Sequence, residues 1–358
     1  MNHEEEQLLV MCSRVTEPDG EVKKQCRRRW DSIAKPIDGL GRLEELVTRI
    51  AAIQNKVEVT LERTAVVVFC GDNGIVEEGV TQTDQHVTAV VTGNIARGVA
   101  SINRMAAVAG AEVFAVDMGV AEDLTEPGIF KCKIARGTAN FIKAPAMTRE
   151  EAVRGILEGI RIAGDLKGTG YDILATGEMG IGNTTTASAV ASVMLNLPAE
   201  AVTGRGAGLS GTGLKRKIEV IKEGIRKHNP DREDPLAVLS TLGGFDLAGI
   251  CGLFLGGAIY RIPVVLDGMI SAVAALLAAR ICPAAALYMI PSHCGKEPAS
   301  RLIMKELSLS PVIEAELGLG EGTGAVLLFP MLSMALEVYR QNSTFSDINI
   351  EAYHTFED

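Results

Sequence analysis

Residues 171–188 read YDILATGEMGIGNTTTAS, and the reading of this stretch decides the fold. An apolar run, Ile173 to Ala175, passes through one carboxylate, Glu178, and three glycines into three consecutive threonines, and TASAVASVM (186–194) follows. The run reads as a buried strand, the glycines as a turn where backbone can approach a ligand, and the small residues as a helix. Amides at a helix start behind such a turn make a phosphate cradle, to which Asn183, Thr184 and Thr185 would add polar side chains. The plainer alternative is a glycine turn with threonine as an ordinary helix cap. Glu178 favours a ligand, because a carboxylate beside a phosphate is unfavourable unless it binds something else, such as sugar hydroxyls.

Five more apolar runs end in glycine or a polar cluster: TAVVVFCGDNG (64–74), AEVFAVDMG (111–119), AVLSTLGGFD (237–246), IPVVLDG (262–268) and ALYMIPSH (286–293). Near-continuous hydrophobicity with β-branched residues fits strands buried on both faces of a parallel sheet. Between them lie helical patterns such as TREEAVRGILEGIRIAGDL (148–166), in which Thr148 and Glu151 form a capping box and Val153, Ile156, Leu157 and Ile160 share one face. The expected class is therefore α/β, a doubly wound, Rossmann-like parallel sheet over residues 60–290. In such a sheet Asp72, Asn73, Asp117, Glu178, Phe245, Asp246, Asp267, Ser292 and His293 gather at the carboxyl ends of the strands. Residues 31–55 are a Pro/Gly turn and an amphipathic helix with Leu43, Leu46, Val47 and Ile50 as its stripe. With the segment after Pro291 they are expected to build a second, smaller helical domain, 1–59 plus 291–358.

The bulk numbers narrow the function. A chain of 358 residues, 47% hydrophobic and 22% charged, suits a large α/β enzyme and not a disordered protein. A net charge of −10 argues against a nucleic-acid partner. Seven scattered cysteines without metal-ligand spacing read as reduced thiols with no metal. The apolar stretches 268–279 and 322–336 are too short to span a bilayer, and MNHEEEQLLV lacks the order of a secretory signal, so a cytoplasmic protein without a membrane partner is expected.

Other motifs weigh less on their own. GAGLSG (206–211) fits GxGxxG but follows no convincing strand, which leaves a dinucleotide-dependent oxidoreductase a weak alternative. LGLGEGTGAVLLF (317–329) sets Glu321 among glycines before an apolar helix; it reads either as a carboxylate with a raised pKa, able to take a proton, or as an exposed residue favoured by the helix dipole. Lys217 in GTGLKRKIEVI belongs to a basic run of the kind that is usually a solvated face. His293 reads as a base or as a hydrogen-bonded structural residue.

Taken in order, KPIDGLGRLEEL, GDNGIVEEGV, GEMGIGNTT, LSTLGGFDLAGI, PVVLDG, IPSH and LGEGTGA cover nearly the whole chain and closely resemble the CobT family of nicotinate-nucleotide–dimethylbenzimidazole phosphoribosyltransferases. The resemblance implies a homodimer whose cleft lies at the strand carboxyl ends. It also implies transfer of the phosphoribosyl group of nicotinate mononucleotide, a substrate and not a cofactor, to an aromatic base, with inversion of the β-linkage to α and no metal or cofactor. Under it, Glu321 matches the general base. Gly180, Ile181, Gly182, Asn183 and Thr184 would hold the 5′-phosphate near Lys217, and Glu178 would contact the ribose. Met179, Asp267, Gly322 and Thr323 join the substrate contacts.

The departures from the family pattern concern the base and the phosphate. Thr83 stands where enterobacterial members have serine near the benzimidazole, and Val91 where they have glutamine, which opens the pocket to adenine, simple benzimidazoles or phenolics. Gly295 replaces a serine that often binds phosphate, and Asp38-Gly39 stands where Gly-Ser is usual. A second reading follows from these changes, a half-active paralogue that works only as a heterodimer partner.

Overall fold

A computed structural model describes residues 2–353; residues 1 and 354–358 of the expected small domain lie outside that range. The strands are β1 (Thr64–Gly71), β2 (Glu112–Gly119), β3 (Phe130–Lys131), β4 (Ile173–Met179), β5 (Val264–Leu266) and β6 (Met289–Pro291). All pair in parallel in the order β3-β2-β1-β4-β5-β6. This is a doubly wound order whose direction of growth reverses between β1 and β4, and ligands bind outside the strand ends at such a reversal. Every residue of β1 is buried, as both-faced coverage by helices requires.

The helices, in chain order, are α1 (His3–Ser13), α2 (Gly20–Ser32), α3 (Arg42–Gln54), α4 (His86–Ala96), α5 (Ser101–Ala109), α6 (Arg149–Gly168), α7 (Asn183–Leu195), α8 (Ala199–Val202), α9 (Gly211–His228), α10 (Pro235–Leu242), α11 (Phe245–Tyr260), α12 (Met269–Ile281), α13 (Pro298–Glu306), α14 (Thr323–Val326) and α15 (Leu328–Gln341). The capping box at Thr148 and Glu151 starts α6, and Val153, Ile156 and Ile160 are buried while Leu157 is half-buried. Helix α6 lies against α11 with glycines at the crossing. A Cβ on Gly159 would lie 2.1 Å from the Gly249 carbonyl, and one on Gly252 would lie 2.0 Å from that of Ile156.

One expected strand is a helix. AVLSTLGGFD begins as α10, because Asp234 caps it through hydrogen bonds from the Leu236 and Ala237 amides, both 3.1 Å, and Pro235 occupies the first turn. Gly243-Gly244 breaks the chain and α11 restarts at Phe245, so Phe245 and Asp246 head a helix and do not follow a strand. Burial on all sides makes such a helix as uniformly apolar as a central strand. The remaining strand, β3, has only two residues and offered no apolar run.

The N-terminal and C-terminal segments touch one another. The rings of Trp30 and Tyr339 lie 4.8 Å apart, and the Tyr339 hydroxyl donates to the Val57 carbonyl at 3.1 Å. The Ala34 and Phe345 amides donate to Ser343 and Ser32 carbonyls at 2.9 and 3.0 Å. Among the described residues no helix is long and apolar enough to cross a membrane.

Candidate active site

At the reversal point β1 and β4 run side by side with Phe69 opposite Glu178, so Asp72 and Asn73 leave one strand beside Gly180 leaving the other. The two turns touch: a Cβ on Gly180 would sit 2.2 Å from the Gly71 carbonyl oxygen. Gly182, with φ 94°, caps α7. A cavity of about 290 Å³ opens here, and Val91, Glu178, Gly180, Thr184, Lys296 and Glu321 mark its extent. Met179, Ile181, Asn183, Asp267 and Thr323 also line it.

The loop carrying Glu321 crosses from the β5 side. Gly320, Glu321 and Gly322 are successive left-handed residues with φ 84°, 60° and 88°. The loop lies directly on β4, since a Cβ on Gly177 would approach the Glu321 carbonyl to 2.6 Å. Asp267, just past β5, fastens it. Its Oδ2 accepts the Gly322 amide at 3.2 Å, and its Oδ1 accepts those of Gly324 and Ala325 at 2.9 and 3.0 Å. The Asp267 carboxylate is thus occupied by the loop, and the Thr176 and Ser271 hydroxyls accept its own amide at 3.2 and 3.1 Å. His293 backs the same loop, with Nδ1 3.0 Å from the Ser292 hydroxyl and 3.9 Å from Asp267.

Glu321 Oε2 accepts the Ile102 amide in the first turn of α5 at 3.1 Å. Burial raises its pKa, against the opposing pull of that amide, with a smaller push from Asp267. It is therefore half-buried at the cavity wall and not a solvated loop residue. Glu178 is pushed further, to about 8, first by burial and then by the Asp246 carboxylate, with the Asn183 amide pulling the other way. Asp246 itself is raised to about 6, chiefly by burial. Asn183 Nδ2 bridges the two acids, donating to Glu178 Oε2 and, at 3.1 Å, to Asp246 Oδ2. The side-chain amide of Asn183 is thus engaged by two carboxylates, a partnership the sequence reading did not include.

The amides of the expected cradle are also partly engaged. Ile181 N donates to the Thr88 hydroxyl at 3.1 Å, Asn183 N to the Gly180 carbonyl at 3.1 Å, and Thr185 N to that of Gly182 at 2.9 Å. Lys217 is fully buried, unlike the exposed Lys215 and Arg216, so the solvated-face reading of that run fails for it. Its Nζ donates to the Thr184 hydroxyl at 2.8 Å and the Gly204 carbonyl at 3.3 Å. Burial lowers its pKa to about 8. Thr83 lies apart, in an exposed turn where its carbonyl accepts the Thr81 hydroxyl, while Val91 on α4 does reach the cavity. GAGLSG follows α8 and no strand.

Several lining residues had no place in the expected site: Met269 and Ile270 at the start of α12, Lys296 and Glu297 before α13, and Leu317 and Leu319. A usable signal existed for the pair before α13, since IPSHCGKEP leaves β6 as GEMG leaves β4. All seven cysteines are buried free thiols. Among the described residues no group of three or more His, Cys, Asp or Glu is arranged to hold a metal ion.

Comparison with known proteins identifies the family and agrees with this fold. A family model described as phosphoribosyltransferase matches residues 15–350. The chain is 46% identical, over 94% of its own length and 95% of the other's, to the nicotinate-nucleotide–dimethylbenzimidazole phosphoribosyltransferase of Clostridium acetobutylicum. It is 45% identical, over 93% and 96%, to the enzyme of the same name from Acetivibrio thermocellus. The crystal structure of CobT from Thermus thermophilus superimposes with a TM-score of 0.87 at 41% identity, covering 92% of this chain and 99% of that one.

Proposed function

The chain belongs to the nicotinate-nucleotide–dimethylbenzimidazole phosphoribosyltransferase family, and from that premise we propose how its own residues carry the reaction. The activity is transfer of the phosphoribosyl group of nicotinate mononucleotide to dimethylbenzimidazole in cobamide synthesis. The half-active paralogue has no support among relatives that match over nearly their full length under the enzyme's name.

In the proposed mechanism, one ring nitrogen of the base attacks the ribose C1′ from the face opposite nicotinate. The bond from C1′ to the pyridine nitrogen breaks with its electron pair staying on nicotinate, and the linkage inverts from β to α. The attacking base must shed the proton on its other ring nitrogen, and Glu321 takes it. The observation that carries this assignment is the position of the Glu321 carboxylate at the cavity wall, on a loop fixed by three hydrogen bonds to Asp267, with a pKa raised by burial. Glu178, protonated below about pH 8, donates toward the ribose and the departing ring. Met179 and the Gly180–Thr184 turn, with Lys217 behind Thr184, hold the phosphate end, and Val91 and Thr323 contact the base side. Asp267 and Gly322 act through the Glu321 loop. No cofactor or metal is assigned, and rate comes from placing donor and base in line.

The rest of the proposal concerns assembly and organisation. The helices before residue 60 and the chain after 290 form a small domain against the sheet, and the protein works as a cytoplasmic homodimer. Exposed apolar Val90, Val99 and Val108 around α4 and α5 support an interface there. For the chemistry, Glu321→Gln is expected to bind donor normally and to lose about 10²–10⁴-fold in turnover, measured as α-ribotide formed from nicotinate mononucleotide and dimethylbenzimidazole. An unchanged rate removes Glu321 from the role of base.

A further inference from the structure

We infer that Lys296 is a phosphate-binding residue of the donor site and supplies the charge that lets an acidic cleft admit an anionic nucleotide; this rests on the reading of the cavity as the mononucleotide site. The cavity is lined by four carboxylic acids, Glu178, which holds its proton to about pH 8, and Asp267, Glu297 and Glu321, and Lys296 is the one Lys or Arg among its described lining residues. Nicotinate mononucleotide carries both a phosphate and a carboxylate, so entry without a local cation is opposed by the field of the site itself. Lys217, buried behind Thr184, is already committed to the Thr184 hydroxyl and the Gly204 carbonyl.

Lys296 is placed for this task by its neighbours. Among the described residues its ammonium forms no ion pair, and its backbone amide donates to the Leu317 carbonyl at 3.0 Å, tying it to the loop that leads to Glu321. The side chain runs across Gly318. A Cβ built there would lie 2.3 Å from Lys296 Cε and 2.9 Å from Nζ, so only glycine at 318 leaves room for this path. The next residue fixes which end of the donor is met. Glu297 Oε1 accepts the Gly206 amide at 3.1 Å, and a Cβ on Gly206 would lie 2.8 Å from Thr184 Oγ1. The segment 295–297 therefore borders the first turn of α7, the phosphate end. Gly295 contributes no side chain there, and the adjacent ammonium is the donor group at hand. An ammonium held over a phosphate forms a charge-assisted hydrogen bond that the neutral nucleoside cannot reproduce.

Titration calorimetry without the acceptor base separates the possibilities, using nicotinate mononucleotide and its riboside, which keeps the carboxylate and lacks the phosphate. Lys296→Ala is expected to weaken mononucleotide binding about tenfold and to leave riboside binding nearly unchanged. Lys296→Arg is expected to restore most of the loss, and high salt to shrink the difference between wild type and Lys296→Ala. Gly318→Ala, which shifts the end of the side chain without removing its charge, should give a smaller loss in the same direction. Wild-type binding with Lys296→Ala unchanged overturns this inference alone, and so does an equal loss for both ligands. A wild-type chain that fails to bind the mononucleotide overturns the donor reading and this inference with it.

Discussion

Replacing Glu178 with glutamine is expected to stabilise the protein near neutral pH while costing only part of its activity. Burial first, and then the facing Asp246 carboxylate, keep the Glu178 proton in place to about pH 8, against 4.5 for an unperturbed glutamate. A carboxyl whose pKa is raised in the folded chain leaves stability intact below the unfolded value and withdraws it as pH rises toward the folded one. Each pH step in that window costs about 1.4 kcal/mol, so at pH 7 the proton held on Glu178 withdraws at most ~3.5 kcal/mol. The side chain is only partly covered, and exposure to solvent reduces the figure to roughly 1.5 kcal/mol. Glutamine keeps an oxygen for the Asn183 donor and carries no charge at any pH. Urea unfolding of the variant at pH 7 should show that gain, and the gain should vanish as the buffer approaches pH 4.5. Because glutamine imitates the protonated acid, the fall in kcat/KM expected for the native enzyme above about pH 8 should disappear, with turnover lowered about tenfold. A variant less stable than the native chain at pH 7, or a difference that does not change with pH, refutes the reading of Glu178 as a proton-holding acid.

Three further substitutions probe the frame around it. Asp267→Asn leaves one oxygen to accept three loop amides and turns an NH₂ group toward the others, so turnover should fall about 10²-fold with donor affinity little changed and with the acid limb of the pH profile displaced. Full turnover in that variant means the loop does not depend on Asp267. Gly180→Ala drives a Cβ to 2.2 Å from the Gly71 carbonyl and should destabilise the fold by about 3 kcal/mol, read from its urea midpoint; an unmoved midpoint means the two turns part easily. Val91→Gln adds an amide to the cavity wall and should change the ratio of dimethylbenzimidazole to adenine consumed in a mixed assay by about tenfold. A constant ratio places Val91 away from the base.

The doubly wound order was legible because its central strands are buried on both faces, which writes a continuous apolar run into β1 and β4 that periodicity can detect. The same logic misread AVLSTLGGFD, since a helix packed on every side is equally apolar. The deciding signal lay just upstream in Asp234-Pro235, a capped helix start. Strand β3 was invisible for the opposite reason: two residues at a sheet edge carry no pattern.

Within the site, the residues at the ends of strands could be read and their partners could not. Glu178 and Glu321 stand out as lone carboxylates among glycines, but nothing local to Asn183 tells that its amide will bridge Glu178 to Asp246, which is 63 positions away. Lys217 was hidden by Lys215 and Arg216, because a helix buries one residue in such a run and the sequence does not say which. What the sequence could not convey at all is the conformation of Glu321. A glutamate between two glycines could have been a spacer in a flexible loop, yet it takes the left-handed conformation they take, at a cost of about 1 kcal/mol that a third glycine would avoid. Asp267 holds the following amides, Gly177 leaves room for its carbonyl, and the Ile102 amide meets its carboxylate. Three separate elements, the ends of β4 and β5 and the start of α5, thus converge to hold one strained residue. Strain maintained from several sides points to a role for the side chain. Its carboxylate ends at the cavity wall with a raised pKa, which is where the proposed mechanism needs a proton acceptor.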